Sequence, residues 1–440
     1  MKRSLAIALI LACAANAKAV TLDAALAKTL EQNPTVIQAK IALEEAAGRR
    51  LVLRAVGLPD FRIQILAGDQ GGHRAGQSPN QPFGFARGFF TQPLFNAAVP
   101  ASRRKATVEV LLAQQRLNLA IVGQLHATRV SFYTAQFNDS LRALGEAQHA
   151  RLTQNVEAQS ARYQAGNAGR GAMTSAQLLE SELNPRIEQV RRAYDGALLT
   201  MAQSMGANLG ATPDILKPEG ELQFVEVTYD VNAETATALA QRPDLQLARL
   251  LVRSSEEDQR IIEAAYYPAV DVIASGNYIP ITAVRQANGG SARSSDDILS
   301  SEGAGGISYT WRVVDNGKIG GQVGRQRAIK EMNEISLRKL EATVPRELQK
   351  IRNNLGAVER RWKSLNAASS AAEENVAVVQ RSLDEGLSSQ LEFRTAESSY
   401  LETKTALLSA AYQQNVARAE WDRATGRYFQ FSEDTTENLH

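Results

Sequence analysis

Asn33-Pro34-Thr35-Val36-Ile37-Gln38-Ala39-Lys40-Ile41 opens a segment that runs to Leu58-Pro59, and Arg242-Pro243-Asp244-Leu245-Gln246-Leu247-Ala248-Arg249-Leu250 opens one that runs to Tyr267-Pro268. Both the openings and the closing prolines stand 209 positions apart. Asn96 and Asn316, Gly166 and Gly386, and Gly206 and Gly426 keep a second offset, 220. The offset changes within the glycine-, serine- and proline-rich stretches that separate these landmarks. One unit of roughly two hundred residues therefore occurs twice, a length that reads as a duplicated half-domain rather than a solenoid repeat.

On this reading residues 20–208 form the first repeat, with a hairpin at about 60–93 and long helices at about 98–206. Residues 209–229, with Pro213 and Pro218, form a linker. Residues 230–426 form the second repeat, with a hairpin at about 269–314 and helices at about 318–426, and 427–440 are a polar tail.

Residues 1–19 have the pattern of an export signal: Lys2 and Arg3, an apolar run from Leu5 to Ala15, and Ala17-Lys18-Ala19 as a small-x-small cleavage site before Val20. A second reading stays open, in which Ile10-Leu11-Ala12-Cys13 is a lipoprotein signal and Cys13 becomes the acylated first residue. With cleavage after Ala19 the mature chain has no cysteine, which excludes disulfide chemistry. It then carries 46 basic against 47 acidic side chains, a balance that gives no sign of a nucleic-acid partner. No later apolar run approaches the length of a membrane-spanning helix.

Aromatic residues are 6% of the chain, and Ala, Gln, Glu, Arg and Leu fill long runs poor in glycine, so the bulk is expected to be long helices. Helical spacing holds from Thr21 to Val56, with a break at Asn33-Pro34. The run Ala101 to Tyr163 contains no proline, and at about 1.5 Å per residue such a helix would be roughly 90 Å long. Its return, Met173 to Gly206, is expected to bend or break at Asn184-Pro185. In the second copy the rod runs from Ile319 to Leu383, bent near Pro345, and returns from Leu391 to Gly426. Phe393, Ala396, Tyr400, Thr403, Leu407, Ala410, Gln414, Ala417 and Trp421 alternate spacings of three and four, a coiled-coil seam. Leu401, Leu408 and Tyr412 add a second apolar line beside it.

Between helices the period changes to two. Phe61, Ile63 and Ile65 alternate with Arg62 and Gln64, Asp69 to Pro82 reads as a loop, and Phe83, Phe85 and Phe89 mark a returning strand. In the second copy Val270, Val272, Ala274 and Tyr278 share one face of a strand, and Gln286 to Gly303 reads as a loop. Ile307, Tyr309, Trp311 and Val313 then alternate with Ser308, Thr310 and Arg312. Strands of about ten residues, apolar outward and polar inward, are the unit of a transmembrane β-barrel. Phe61, Ile63, Ile65, Ile307, Tyr309 and Trp311 would then face lipid. A small soluble sheet packed on a helix accounts for the same alternation. In a membrane four strands cannot close a barrel, so two copies would give eight strands and three twelve.

The chain resembles the TolC family of outer-membrane efflux channels along essentially its whole mature length. The resemblance rests on Thr21-Leu22-Asp23-Ala24-Ala25-Leu26 leading to Asn33-Pro34, on Pro59 and Pro268 before the strands, and on the tip segments RYQAGNAGRGAMTSAQLLESEL (162–183) and EGLSSQLEFRTAESSYL (385–401). It implies a mainly α fold with a small β part: a duplicated long-helix α-barrel, plus four strands per protomer in a trimeric twelve-stranded barrel. It further implies residence in the outer membrane with extension into the periplasm, and a periplasmic adaptor and an inner-membrane transporter as partners. The tips Arg162 to Gly171 and Asp384 to Gln390, with Gly166, Arg170, Gly386 and Leu387, would contact the adaptor. Acidic residues that ring the periplasmic entrance in the family would correspond to Glu392, but the first copy has Ala172 there, and a second acidic position is Thr395.

Enzyme chemistry finds no support. His73, His126, His149 and His440 lack metal-ligand spacing, and neither a nucleophile elbow nor a phosphate-binding loop is present. The glycines of 317–324 fit a strand-to-helix corner. The sequence thus names no catalytic residue, cofactor or metal, and points to a passive export conduit for an unspecified substrate. The competing class is a periplasmic coiled-coil interaction protein.

Overall fold

In the computed structural model, residues 19–71, 80–206, 216–278 and 301–427 are described. The export-signal readings at residues 1–18, most of both hairpin loops, residues 207–215 of the linker and the tail from residue 428 lie outside them.

Proline and its neighbours set the helix boundaries at the repeat openings. Helix α1 (Leu22–Gln32) starts at Thr21, whose hydroxyl accepts from Ala24 N–H, and stops where Pro34 begins α2 (Pro34–Ala55). The second copy repeats this with α5 (Val231–Gln241), capped by Asp230, and α6 (Pro243–Glu263). The hairpin β2 (Asp60–Gly71) and β3 (Asn80–Phe95) precedes α3 (Ala98–Gln164) and α4 (Arg170–Ser204). The hairpin β5 (Ala269–Tyr278) and β6 (Ser301–Thr310) precedes α7 (Lys318–Glu385) and α8 (Gln390–Thr425). Two two-residue strands, β1 (Ala19–Val20) and β4 (Lys217–Pro218), pair in parallel.

The described residues fall into two units. One holds residues up to 40, 116–245 and from 340 onward; the other holds 41–115 and 246–339.

In the first unit both repeat openings are tied to the end of a return helix. The Asn33 side-chain amide donates to the Ser204 carbonyl (2.8 Å) and to Gln124 (3.1 Å), and its own oxygen accepts from Thr35 N–H. Its counterpart Arg242 donates to the Ala424 carbonyl (3.2 Å), to Glu347 (2.6 Å) and, through two nitrogens, to Asp244. Burial disfavours charge on Arg242, but hydrogen bonds to the two carboxylates outweigh it and raise its pKa. Gly206 and Gly426, with φ of +85° and +79°, end the return helices against these junctions. A Cβ on Gly206 would lie 2.6 Å from Asn33 Cα and nearer still to the Gln32 carbonyl oxygen.

The linker is held to the first unit by side-chain amides. Gln136 donates to the Glu219 and Gly220 carbonyls, Asn415 to Gln223, and Gln414 both accepts from and donates to the Val225 backbone. Phe224 stacks on Trp362 at 4.3 Å.

Three sequence expectations are corrected. Helix α4 runs unbroken through Pro185, so the chain does not break there, and α7 likewise continues through Pro345. A mid-helix proline costs about 3 kcal/mol, but Leu183 and Ile187 are buried in one cluster with Leu152, Leu383 and Phe393, while Val344 and Leu348 are fully buried. That packing holds the helical path on both sides of each ring. The hairpin loops are shorter than read, because backbone pairing continues into polar and glycine-rich sequence: Gly71 lies opposite Asn80, and Glu302 and Gly303 pair with Asn277 and Gly276. Finally, β6 stops at Thr310, so Trp311 and Val313 lie outside it. Thr310 is opposite Ala269, and the next partner would be Pro268, which has no N–H to continue the ladder.

An L-residue at positive φ costs about 1–2 kcal/mol. Gly386→Ala is expected to lose about that much, since its Cβ would meet only the flexible end of Arg162. Gly206→Ala is expected to lose at least about 3 kcal/mol, because backbone must also move. Unfolding midpoints of the two purified variants, compared side by side, check the order.

Candidate functional site: strand faces and helix tips

The register of the second unit's sheet, order β2-β3-β5-β6, sorts side chains onto two faces. Residues directly opposite one another share a face. Phe61 pairs with Phe90, Phe90 with Ala274, Val272 with Ile307 and Val270 with Tyr309. Phe61, Ile63, Ile65, Phe90, Val270, Val272, Ala274, Tyr278, Ile307 and Tyr309 therefore make one largely apolar face, on which Gln92 stands opposite Val272. Ile65 is 76% exposed, Ile307 71% and Tyr309 63%, while Phe90, Val270 and Val272 are half-buried.

The opposite face carries Asp60, Arg62, Gln64, Arg87, Thr91, Asp271, Ser275, Asn277, Glu302 and Ser308, with the apolar Leu66 and Ile273 among them. Arg62 pairs with Asp60 at 3.1 Å. Phe85 and Phe89, which mark β3 in the sequence, stand on this polar side, where Arg87 lies 4.3 Å from the Phe85 ring centroid. Strands β2 and β6 are both open edges. Trp311 is apart from the sheet positions it was grouped with: its indole N–H donates to the Tyr266 carbonyl at 3.2 Å.

In the first unit the two helix-to-helix turns have one geometry. Gly166 N–H donates to Tyr163 O (3.0 Å) and Asn167 N–H to Arg162 O (2.8 Å); 220 residues on, Gly386 donates to Leu383 O (3.0 Å) and Leu387 to Ser382 O (2.7 Å). Gly166 and Gly386 have φ of +75° and +81°, the left-handed cap that releases the last helical carbonyls to these donors. The turns differ in how the next helix starts. Gly169 offers no side-chain cap to α4, whereas Ser389 and Glu392 form a capping box on α8. The Glu392 carboxylate accepts Ser389 N–H at 2.8 Å, and Ser389 Oγ accepts Glu392 N–H. Glu392 and Thr395 are exposed one turn apart, with Thr395 bonded to the Leu391 carbonyl. Arg170 is exposed, and Leu387 is 78% exposed.

Sequence reasoning missed what joins the two turns. Arg162 donates to the Leu383 carbonyl at 2.6 Å, Asn155 and Gln390 exchange amide hydrogen bonds at 3.1 and 3.2 Å, and Arg394 pairs with Glu182 at 2.9 Å. Deeper in, the buried Glu397 accepts two bonds from Arg151, at 2.8 and 3.2 Å. The bond to Glu397 raises the Arg151 pKa. The usable signal was spacing: Glu397 lies four residues from both Phe393 and Leu401 on the packed side of α8, where a charge requires a partner.

Residues 235–427 match the family model described as outer membrane efflux protein. Among solved structures the fold is similar to the outer membrane protein VceC of Vibrio cholerae, at 17% identity and TM-score 0.74, covering 92% of this chain and 96% of that one. It is similar to the CmeC outer membrane channel of Campylobacter jejuni, at 14% and 0.79 over 95% and 88%. The open-state MtrE outer membrane channel of Neisseria gonorrhoeae is similar at 16% and 0.75 over 92% and 88%. A search of curated protein sequences finds no match. The class is thus that of long-helix outer-membrane channel folds. The family match covers most of the second repeat, and the fold of the described residues is the one these solved outer-membrane channel structures have.

Removing one partner of a buried ion pair costs about 3–5 kcal/mol, because the other charge is left in place. Arg151→Leu is expected to destabilise the protein by about that much, and the double change Arg151→Leu with Glu397→Leu by clearly less. Chemical unfolding of the single and double variants reads the difference.

Proposed function

We propose that the chain is the outer-membrane channel of a tripartite efflux or type I secretion system, a passive route from periplasm to exterior. The observation that carries this reading is the sheet: one largely apolar face, one face that holds most of its polar side chains, and two edges unpaired among the described residues. In hydrocarbon an open edge costs several kcal/mol per unpaired group, so the four strands require other copies to close them. Three copies give about twelve strands, within the range of known barrels. The apolar face, with Phe61, Ile63, Ile65, Ile307 and Tyr309, meets lipid, and the polar face lines the lumen.

Energy comes from the partners, a periplasmic adaptor and an inner-membrane transporter. The turns at Gly166, Arg170, Gly386 and Leu387 are the surface offered to the adaptor. Glu392, with Thr395 one turn away, is the candidate gate residue at that end. The competing reading, a soluble periplasmic coiled-coil protein, leaves the apolar strand face uncovered in water.

Detergent-extracted protein is expected to run as a heat-sensitive trimer and to give discrete conductance steps in planar bilayers; a protein that partitions without detergent defeats the proposal. Glutamine also supports a capping box, so Glu392→Gln removes the charge and keeps α8 capped. The variant is expected to show weaker block by multivalent cations, and unchanged block excludes Glu392 from the gate.

A further inference from the structure

At the helical border of the sheet, within the second unit, an open cleft of about 520 Å³ is lined by Arg54, Leu58, Arg103, Arg104 and Thr107. Leu58 lies two residues before β2, and Arg103 eight residues after β3 ends at Phe95. Gly57 shapes the cleft. A Cβ there would stand 2.7 Å from a Val99 methyl and 3.3 Å from the Arg103 guanidinium, so its absence lets α3 and the end of α2 approach closely.

Three arginines line this one cleft, and cations held so near one another repel unless an anion joins them. Arg104 commits its Nε to both oxygens of the buried Glu257, at 2.9 and 3.0 Å, one of five N–H groups an arginine can offer. Arg54 and Arg103 pair with no carboxylate among the described residues. Guanidinium forks match the paired oxygens of a phosphate. Leu58 gives the cleft an apolar wall that is 54% exposed, and the apolar strand face begins three residues on, at Phe61.

The duplication supplies an internal control. The counterparts of Arg54, Arg103 and Arg104 in the second repeat are Glu263, Val323 and Gly324. The counterpart of Thr107 is Arg327, so the same corner carries one arginine and one carboxylate there in place of three arginines, and the first repeat's arginine cluster is not a requirement of the fold.

We infer that this cleft binds the phosphate headgroup of an anionic phospholipid from the periplasmic leaflet, with its acyl chains along Leu58 and the apolar strand face. The inference rests on the outer-membrane reading, and it gives that reading one lipid site per protomer, in the first repeat only.

The test is native mass spectrometry of delipidated full-length protein titrated with phosphatidylglycerol, with inorganic phosphate at matched concentration in a parallel arm. The wild type is expected to bind the lipid at least tenfold more tightly than the Arg54→Gln, Arg103→Gln double variant, with Arg103→Gln alone intermediate and measurable should the double variant fail to fold. Equal lipid binding by wild type and variants overturns the inference. So does phosphate binding as tight as lipid binding, which would mark a free-phosphate site. Variants that fall to monomers while holding as much lipid per chain overturn it in favour of a contact between copies. Conductance separates the two readings: failure of the channel proposal is loss of steps in the wild type, and failure of this one is unchanged lipid binding in protein that conducts.

Discussion

A side chain at a helix junction that donates to the last carbonyls of a distant helix is the interaction the rest depends on. Asn33 reaches the Ser204 carbonyl 171 residues away, and Arg242 reaches Ala424 across 182. Helix ends leave carbonyls without partners, and in a packed interior they must be met. Each junction meets one and thereby fixes where a return helix stops, against the break that Pro34 or Pro243 makes. The left-handed glycines Gly206 and Gly426 follow from this, because the chain has to turn in the space the junction leaves.

The two junctions solve one problem with different chemistry. Asn33 is neutral and needs only a neighbouring amide, Gln124. Arg242 brings a charge inside and therefore recruits Asp244 and Glu347, while Arg423 shares Glu347 at 3.0 Å. Removing a carboxylate from such a set leaves a buried cation, so the second repeat is the more sensitive to single substitutions at its junction. A duplicated chain can carry this asymmetry because only the backbone role, donating to a helix end, is common to both copies.

Much of the fold is legible in the sequence, since its signals are periodic. The alternation of Phe61, Ile63 and Ile65, and of Ile307 and Tyr309, reflects side chains that alternate faces, and the seam from Phe393 to Trp421 reflects helix packing. What could not be read depends on backbone or on distant partners. Gly71 and Glu302 join the ladder through peptide groups that any residue has. Trp311 leaves it because its partner position is Pro268. Helix α4 survives Pro185 because Leu183 and Ile187 are buried against residues far along the chain. The candidate site was legible as positions, and Ser389-Gln390-Leu391-Glu392 even carries the capping-box pattern, but the bonds that join the two turns, such as Arg162 to the Leu383 carbonyl, depend on partners far along the chain.

The apolar strand face and the open edges at β2 and β6 also bear on the chain before it reaches a membrane. In water the same sheet exposes Phe61, Ile65, Ile307 and Tyr309 together with two rows of unsatisfied peptide groups, the pattern that nucleates aggregation. A protomer that folds early is therefore endangered by its own sheet. On the channel reading, these surfaces are safe only once lipid and neighbouring strands are at hand, so the sheet limits how long a folded chain can wait in water.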